Sequence, residues 1–165
     1  MTKSKNKIII IIVLVIVCVC MYPIFLIVSD MVLRKYFWEP YSVTGTQMVP
    51  TLKNEQITII KKGINVPKRN EIVLYSYLGK KYYSRVVAIS GDQVEISNGK
   101  VFINNKLLKE GYISGNYTNG YINTTLASDE YFVLNDNRKL STETDSRLFG
   151  PIKSSQIEGV VTAIF

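Results

Sequence analysis

The sequence predicts a mainly β, antiparallel domain carried behind one N-terminal transmembrane helix. Three observations lead there. An uncharged apolar run follows three lysines at the N-terminus, short β-branched and aromatic runs fill the remainder, and turn dipeptides separate those runs.

The apolar run is Ile8–Val28, with Lys3, Lys5 and Lys7 before it and no charge inside it. At about 1.5 Å per residue it reaches roughly 30 Å, the thickness of a bilayer core. Pro23 lies near its outer end, where a kink is tolerated. The lysines favour a cytoplasmic N-terminus. A cleavable signal peptide is the competing reading, but the run is long and no small-residue cleavage site follows it. The expected layout is a cytoplasmic tail at 1–7, a signal anchor at 8–28 and an extracytoplasmic domain at 36–165. Phe37, Trp38 and Tyr41 fit either the headgroup layer or a first strand.

Charge placement narrows the partners. Outside residues 1–35 the chain carries 15 basic and 12 acidic groups, too even a balance for a nucleic-acid footprint. Attraction to the lipid bilayer surface fits better. There is no histidine, which excludes Ser-His-Asp chemistry and histidine-held metals, and nothing calls for a cofactor. Cys18 and Cys20 both lie in the apolar run, so no disulfide framework is predicted.

The β signals begin near Tyr41. Gln56–Lys61, Glu71–Tyr77 and Lys81–Ile89 are rich in Val, Ile, Thr and Tyr. Gln93–Ser97 and Lys100–Ile103 flank Asn98-Gly99, the signature of a type I′ hairpin. Asn104-Asn105 makes another turn. Glu110–Ala127 reads as a polar loop or small substructure, Tyr131–Leu134 and Gly159–Ile164 as strands, and Lys153–Ile157 as a short helical turn.

Four segments carry chemistry. The first is Gly45-Thr46-Gln47-Met48-Val49-Pro50-Thr51-Leu52; the second is Arg69-Asn70-Glu71-Ile72-Val73. The third runs Tyr83-Ser84-Arg85-Val86-Val87-Ala88-Ile89-Ser90-Gly91-Asp92. The fourth is Asn135-Asp136-Asn137-Arg138, continuing to Asp145-Ser146-Arg147-Leu148-Phe149-Gly150. In order and rough spacing they resemble the motifs of the type I signal peptidases, among them Gly-x-Ser-Met-x-Pro-Thr-Leu. The resemblance implies that family's antiparallel β domain and its Ser-Lys dyad, in which a desolvated lysine takes the proton of the attacking serine.

Two positions depart from the pattern. Gln47 stands where the family has its serine, and Ser84 where it has its lysine. A carboxamide is a poor nucleophile, and Ser84 has no titratable amine. Along a strand Lys80 lies about 13 Å from Ser84, too far for a base, and Tyr82 has an unperturbed pKa of about 10. The resulting expectation is a protein that is not an enzyme. No catalytic residue is expected at Gln47 or Ser84; the resemblance implies that Gly45, Met48, Pro50 and Ser141 mark the substrate groove and that Arg85, Asp145 and Arg147 form an ion-pair cluster behind it. Ser141 or Glu143 stands at the family's lysine-orienting serine, the loop here being longer.

Such a protein binds a secreted or membrane-emerging polypeptide in the groove, and it resembles the accessory factors of Gram-positive pilus assembly, with a pilin or a sortase as partner. The alternative is an active signal peptidase with an atypical dyad. A self-cleaving repressor shares a similar β fold and dyad, but the N-terminal span and the lack of a DNA-binding domain argue against it.

Overall fold

The computed structural model describes residues 2–63, 66–113, 115, 117–139 and 144–165. They divide into two compact units, Met1–Trp38 and Glu39–Phe165.

The first unit is α1, Thr2–Phe37, with Pro23 inside it. Its stretch Ile11–Val32, 22 residues, is long and apolar enough to cross a membrane. Cys18 and Cys20 are free thiols on the exposed surface of the helix.

The second unit is built from strands. In chain order they are β1 (Trp38–Ser42), β2 (Ile57–Lys62), β3 (Ile72–Tyr77), β4 (Lys80–Ala88), β5 (Gln93–Ser97), β6 (Lys100–Ile103), β7 (Lys106–Leu107), β8 (Ile122–Thr125), β9 (Glu130–Leu134), β10 (Ile152–Lys153) and β11 (Ile157–Ile164). One short helix, α2 (Ser146–Phe149), precedes β10, and a 3-10 turn at Ser154–Gln156 follows it. The larger sheet has the order β1-β2-β11-β3-β4-β9-β10, the smaller β7-β6-β5-β8.

Most strands fall where β-branched and aromatic residues are dense. Three two-residue turns close the hairpins: Leu78-Gly79, Asn98-Gly99 and Asn104-Asn105, all at positive φ. The first is not signalled in sequence, because leucine rarely takes φ +48°. Trp38 and Tyr41 lie in β1 while Phe37 ends α1; Trp38 stays exposed and Tyr41 is half-buried, so the strand forms without burying Trp38 in the core. The polar stretch after Glu110 contains β8, whose Ile-Asn-Thr-Thr sequence is half-exposed on an edge and so lacks a strong apolar signal.

The larger sheet is curled. Tyr83 of β4 meets Thr58 of β2 at 2.8 Å, hydroxyl to hydroxyl, with β11 and β3 between those strands in the order. A flat sheet would separate them by about 14 Å. The concave face encloses Val43, Met48, Leu52, Ile60, Ile72, Leu74 and Tyr83. The other face packs Val73, Tyr75, Val86, Tyr131 and Val133 against Ile152, Ile157 and Val160. Val87, Ala88, Phe132 and Leu134 meet the smaller sheet through Val94, Ile96, Val101 and Ile103.

Candidate active site

The segment 44–52 caps the concave core. Met48 and Leu52 are fully buried and anchor it. Met48 is therefore a core residue rather than a groove surface. Gly45 and Pro50 are exposed, and Val49–Pro50 is a cis peptide. The Gly45 amide donates to Asn54 Oδ1 at 2.7 Å. The Gln47 carboxamide folds back over Gly45, so close that a Cβ there would stand 2.4 Å from Oε1. At φ +89°, Gly45 is also the residue type this backbone demands.

Four consecutive residues after β9 hold this region, two of them fastening the cap and two anchoring the surrounding loops. The Asn137 amide donates to the Gln47 carbonyl (2.9 Å), and Asn137 Nδ2 to the Thr46 carbonyl (3.0 Å). Asp136 is fully buried; it accepts from Thr51 Oγ1 (2.5 Å) and from Arg85 Nε and Nη2 (2.9 and 2.5 Å). Arg85 Nη1 donates to the Asn70 carbonyl (2.7 Å), and the Tyr112 ring lies 4.0 Å from the guanidinium carbon. Arg138 is buried against the Asn135 carbonyl (2.6 Å), Thr118 Oγ1 (2.7 Å) and Glu110. Asn135 takes the fourth position and faces Ser84.

Ser84 is fully buried on the opposite face of β4 from Tyr83. Its Oγ lies 2.8 Å from both Asn135 Oδ1 and the Tyr83 carbonyl, which compete for one proton. The Tyr75 hydroxyl stands 3.4 Å from it and 3.1 Å from the Thr144 carbonyl. Burial pushes the Tyr75 phenol above its usual range, so it remains protonated and serves as donor, not base. Asn135 Nδ2 donates to Thr144 Oγ1 at 3.1 Å, completing a polar chain without an amine. Lys81 is engaged elsewhere, with Glu158 and Tyr41.

The expected cluster of Arg85, Asp145 and Arg147 is two separate devices. Arg85 pairs with Asp136. Arg147 pairs with Asp145 at 2.8 Å, where both side chains are fully buried, and Asp145 also caps α2 and accepts from the Asn135 amide (2.9 Å). Sequence spacing could not choose between Asp136 and Asp145 as the partner of Arg85, since either carboxylate neutralises it; the β4–β9 register, Arg85 opposite Leu134, brings Asp136 to it. Ser141 and Glu143 lie outside the described residues. The sequence assigns no site role to Tyr75, Tyr112 or Glu110, and it places Asn135 in the fourth motif segment without its bond to Ser84. Tyr75, Tyr112 and Glu110 lie outside the four motif segments, and only the fold brings them to the site.

The sequence matches the signal peptidase family, peptidase S26, over residues 7–165. The chain belongs to that family. It is similar to signal peptidase I of Bacillus amyloliquefaciens, 30% identical over 155 residues, covering 86% of this chain and 83% of that one. It is similar to signal peptidase IB of Staphylococcus aureus, also 30% identical, covering 81% of each. A crystal structure of an Enterococcus faecalis signal peptidase I is 31% identical, with a TM-score of 0.51, over 59% of this chain and 97% of that one. The apolar helix and this family membership together make it a membrane-anchored signal peptidase homologue.

These relatives correct one expectation. The inference from Gln47 and Ser84 that the chain is not an enzyme does not stand, because the proteins it matches over most of both lengths are named as peptidases. A changed dyad shows a changed site; it does not show an inactive one.

Proposed function

We propose that this protein is a membrane-anchored peptidase of the signal peptidase I type. In this reading it acts, at the outer face of the membrane, on secreted or membrane-emerging polypeptides. Its N-terminus lies in the cytoplasm and residues 36–165 outside. The client class brought by the resemblance, a pilin or another surface protein handled with a sortase, belongs to the same proposal.

The observation that carries it is an open strand edge ending at the site. β9 meets β4 only from Arg85 onward, where Arg85 opposes Leu134. On the other side, Val86 donates to the Glu71 carbonyl (2.9 Å) and accepts from the Asn70 amide (2.8 Å). Antiparallel pairing alternates. Tyr83 and Lys81 therefore turn their backbone groups outward, away from β3, with no strand beside them among the described residues. An extended polypeptide adds there as a strand, and its chain then runs past Ser84 and the loop that fastens Gln47.

At the two motif positions this chain places the Gln47 carboxamide and the buried Ser84 hydroxyl, where the family's pattern has a serine and a lysine. The test is incubation of the full-length protein in detergent micelles with a signal-bearing precursor. Cleavage on the outer side of the apolar segment is expected. An intact precursor after prolonged incubation, with a Staphylococcus signal peptidase IB control active on it, overturns the reading.

A further inference from the structure

The outward edge of β4 carries an uncommon side-chain arrangement on the concave face. Lys81 Nζ lies 2.6 Å from Glu158 Oε2 and 3.1 Å from the Tyr41 hydroxyl, and 4.5 Å from the centre of the Tyr41 ring. The other Glu158 oxygen accepts from Ser76 Oγ at 2.5 Å. Below them, Thr58 Oγ1 donates to the Tyr41 carbonyl (3.0 Å), so the Tyr83 hydroxyl must be the donor in its 2.8 Å contact with Thr58.

Counting protons shows what remains. An ammonium has three N–H groups, and two are used. The Tyr41 hydroxyl accepts from Lys81, which leaves its own proton free. Both Glu158 oxygens are engaged. The mouth of the concave face therefore offers two spare donors, one of them cationic, on the side chain next to the open strand edge. Glu158 balances the Lys81 charge, so the bias rests on the two unused donors and their direction rather than on net charge. Lys62 is paired with Glu39, and Lys80, the residue before Lys81, projects to the other face of the strand. Lys81 itself stays nearly half exposed, at 46%, within reach of a guest side chain.

We propose that Lys81 and Tyr41 make this edge selective for a polypeptide that places a carboxylate side chain opposite Lys81. Residues directly opposite in a sheet share a face. A guest Asp or Glu in that register meets the third Lys81 N–H and the Tyr41 O–H. A guest Lys meets the Lys81 charge, and a guest Val leaves both donors without an acceptor. The proposal rests on the strand-addition reading above.

Three labelled ten-residue peptides test it, identical in an alternating Thr/Val sequence and differing at one central residue: Asp, Val or Lys. Binding to the full-length protein in micelles is read by fluorescence anisotropy. The Asp peptide is expected to bind roughly five- to tenfold tighter than the others, with the gap narrowing in high salt. Lys81→Met should abolish the preference, and Tyr41→Phe, which removes only a hydroxyl, should reduce it while far-UV circular dichroism stays unchanged. Equal binding of the three peptides, or a preference untouched by both variants, overturns the selectivity and leaves strand addition standing. Failure of all three to bind overturns strand addition itself.

Discussion

At the scale of single residues, the site depends on one buried carboxylate and the guanidinium paired with it. Asp136 is fully buried and Arg85 nearly so. Removing one partner strands the other in a low-dielectric interior, which costs about 3–5 kcal/mol. Asp136→Ala should lower the unfolding free energy by that amount in urea denaturation, and it should also loosen segment 44–52, since Thr51 loses its acceptor. Gln47 and Ser84 respond differently. Gln47 is only half-buried, so exchange there alters chemistry more than stability, whereas a lysine at the fully buried Ser84 also strains the packing and desolvates its amine. The pair Gln47→Ser and Ser84→Lys supplies a hydroxyl nucleophile and an amine. Together they should raise the precursor cleavage rate roughly 10²–10⁴-fold, while either alone gains little, because nucleophile and base act as a unit. A single variant as fast as the double would show that these positions do not work together. Motif spacing made both positions legible. The polar chain of Tyr75, Asn135 and Thr144 around Ser84 was not, because its members lie on β3, after β9 and before α2.

At the scale of elements, β11 joins the two halves of the curled sheet. It pairs with β2 and β3, with register shifts on either side of Gly159. A Cβ on Gly159 would stand 2.3 Å from the Lys61 carbonyl oxygen and 2.7 Å from Ile60 Cγ2, so β2 cannot approach any larger residue this closely. Gly159→Ala should cost about 1–3 kcal/mol, as overpacking does, and should speed hydrogen exchange in β2 and β11 before β5 and β6. A uniform rise in exchange would contradict that order. The strands β2, β3, β4, β5, β6, β9 and β11 were readable from β-branched runs and turn dipeptides. β7, β8 and β10 were not. They are short edge pieces whose residues are half-exposed, and their pairing rather than their composition makes them strands.

For the whole molecule, the absence of histidine sets the pH response. No side chain in it has an unperturbed pKa between about 5 and 8. Burial raises the Asp92 carboxyl, but the Arg69 guanidinium, the Ile89 amide and Asn104 outweigh it and hold it below the usual range. Burial likewise raises Glu158, and its bonds from Lys81 and Ser76 reverse the sign. Carboxyls lowered in the folded state contribute stability above their unfolded pKa and lose it as pH falls through the folded value. Stability should therefore be flat from about pH 5 to 8 and fall below about pH 4. The hydrogen bonds to Glu158 and Tyr41 raise Lys81, a contribution lost only above about pH 10. Urea midpoints measured across that range check the profile, and a midpoint shifting steeply near pH 6.5 would refute it.

The sequence by itself determined the class of the fold, the apolar helix, most strands and the two altered motif positions. Each of these is written in local composition or fixed spacing. Tertiary structure decided which carboxylate faces Arg85, that Met48 is core, that Ser84 is sealed among neutral partners, and which edge of β4 is open. Those are matters of register and curl. They depend on how strands far apart in the chain meet, and no local run of residues encodes such a meeting.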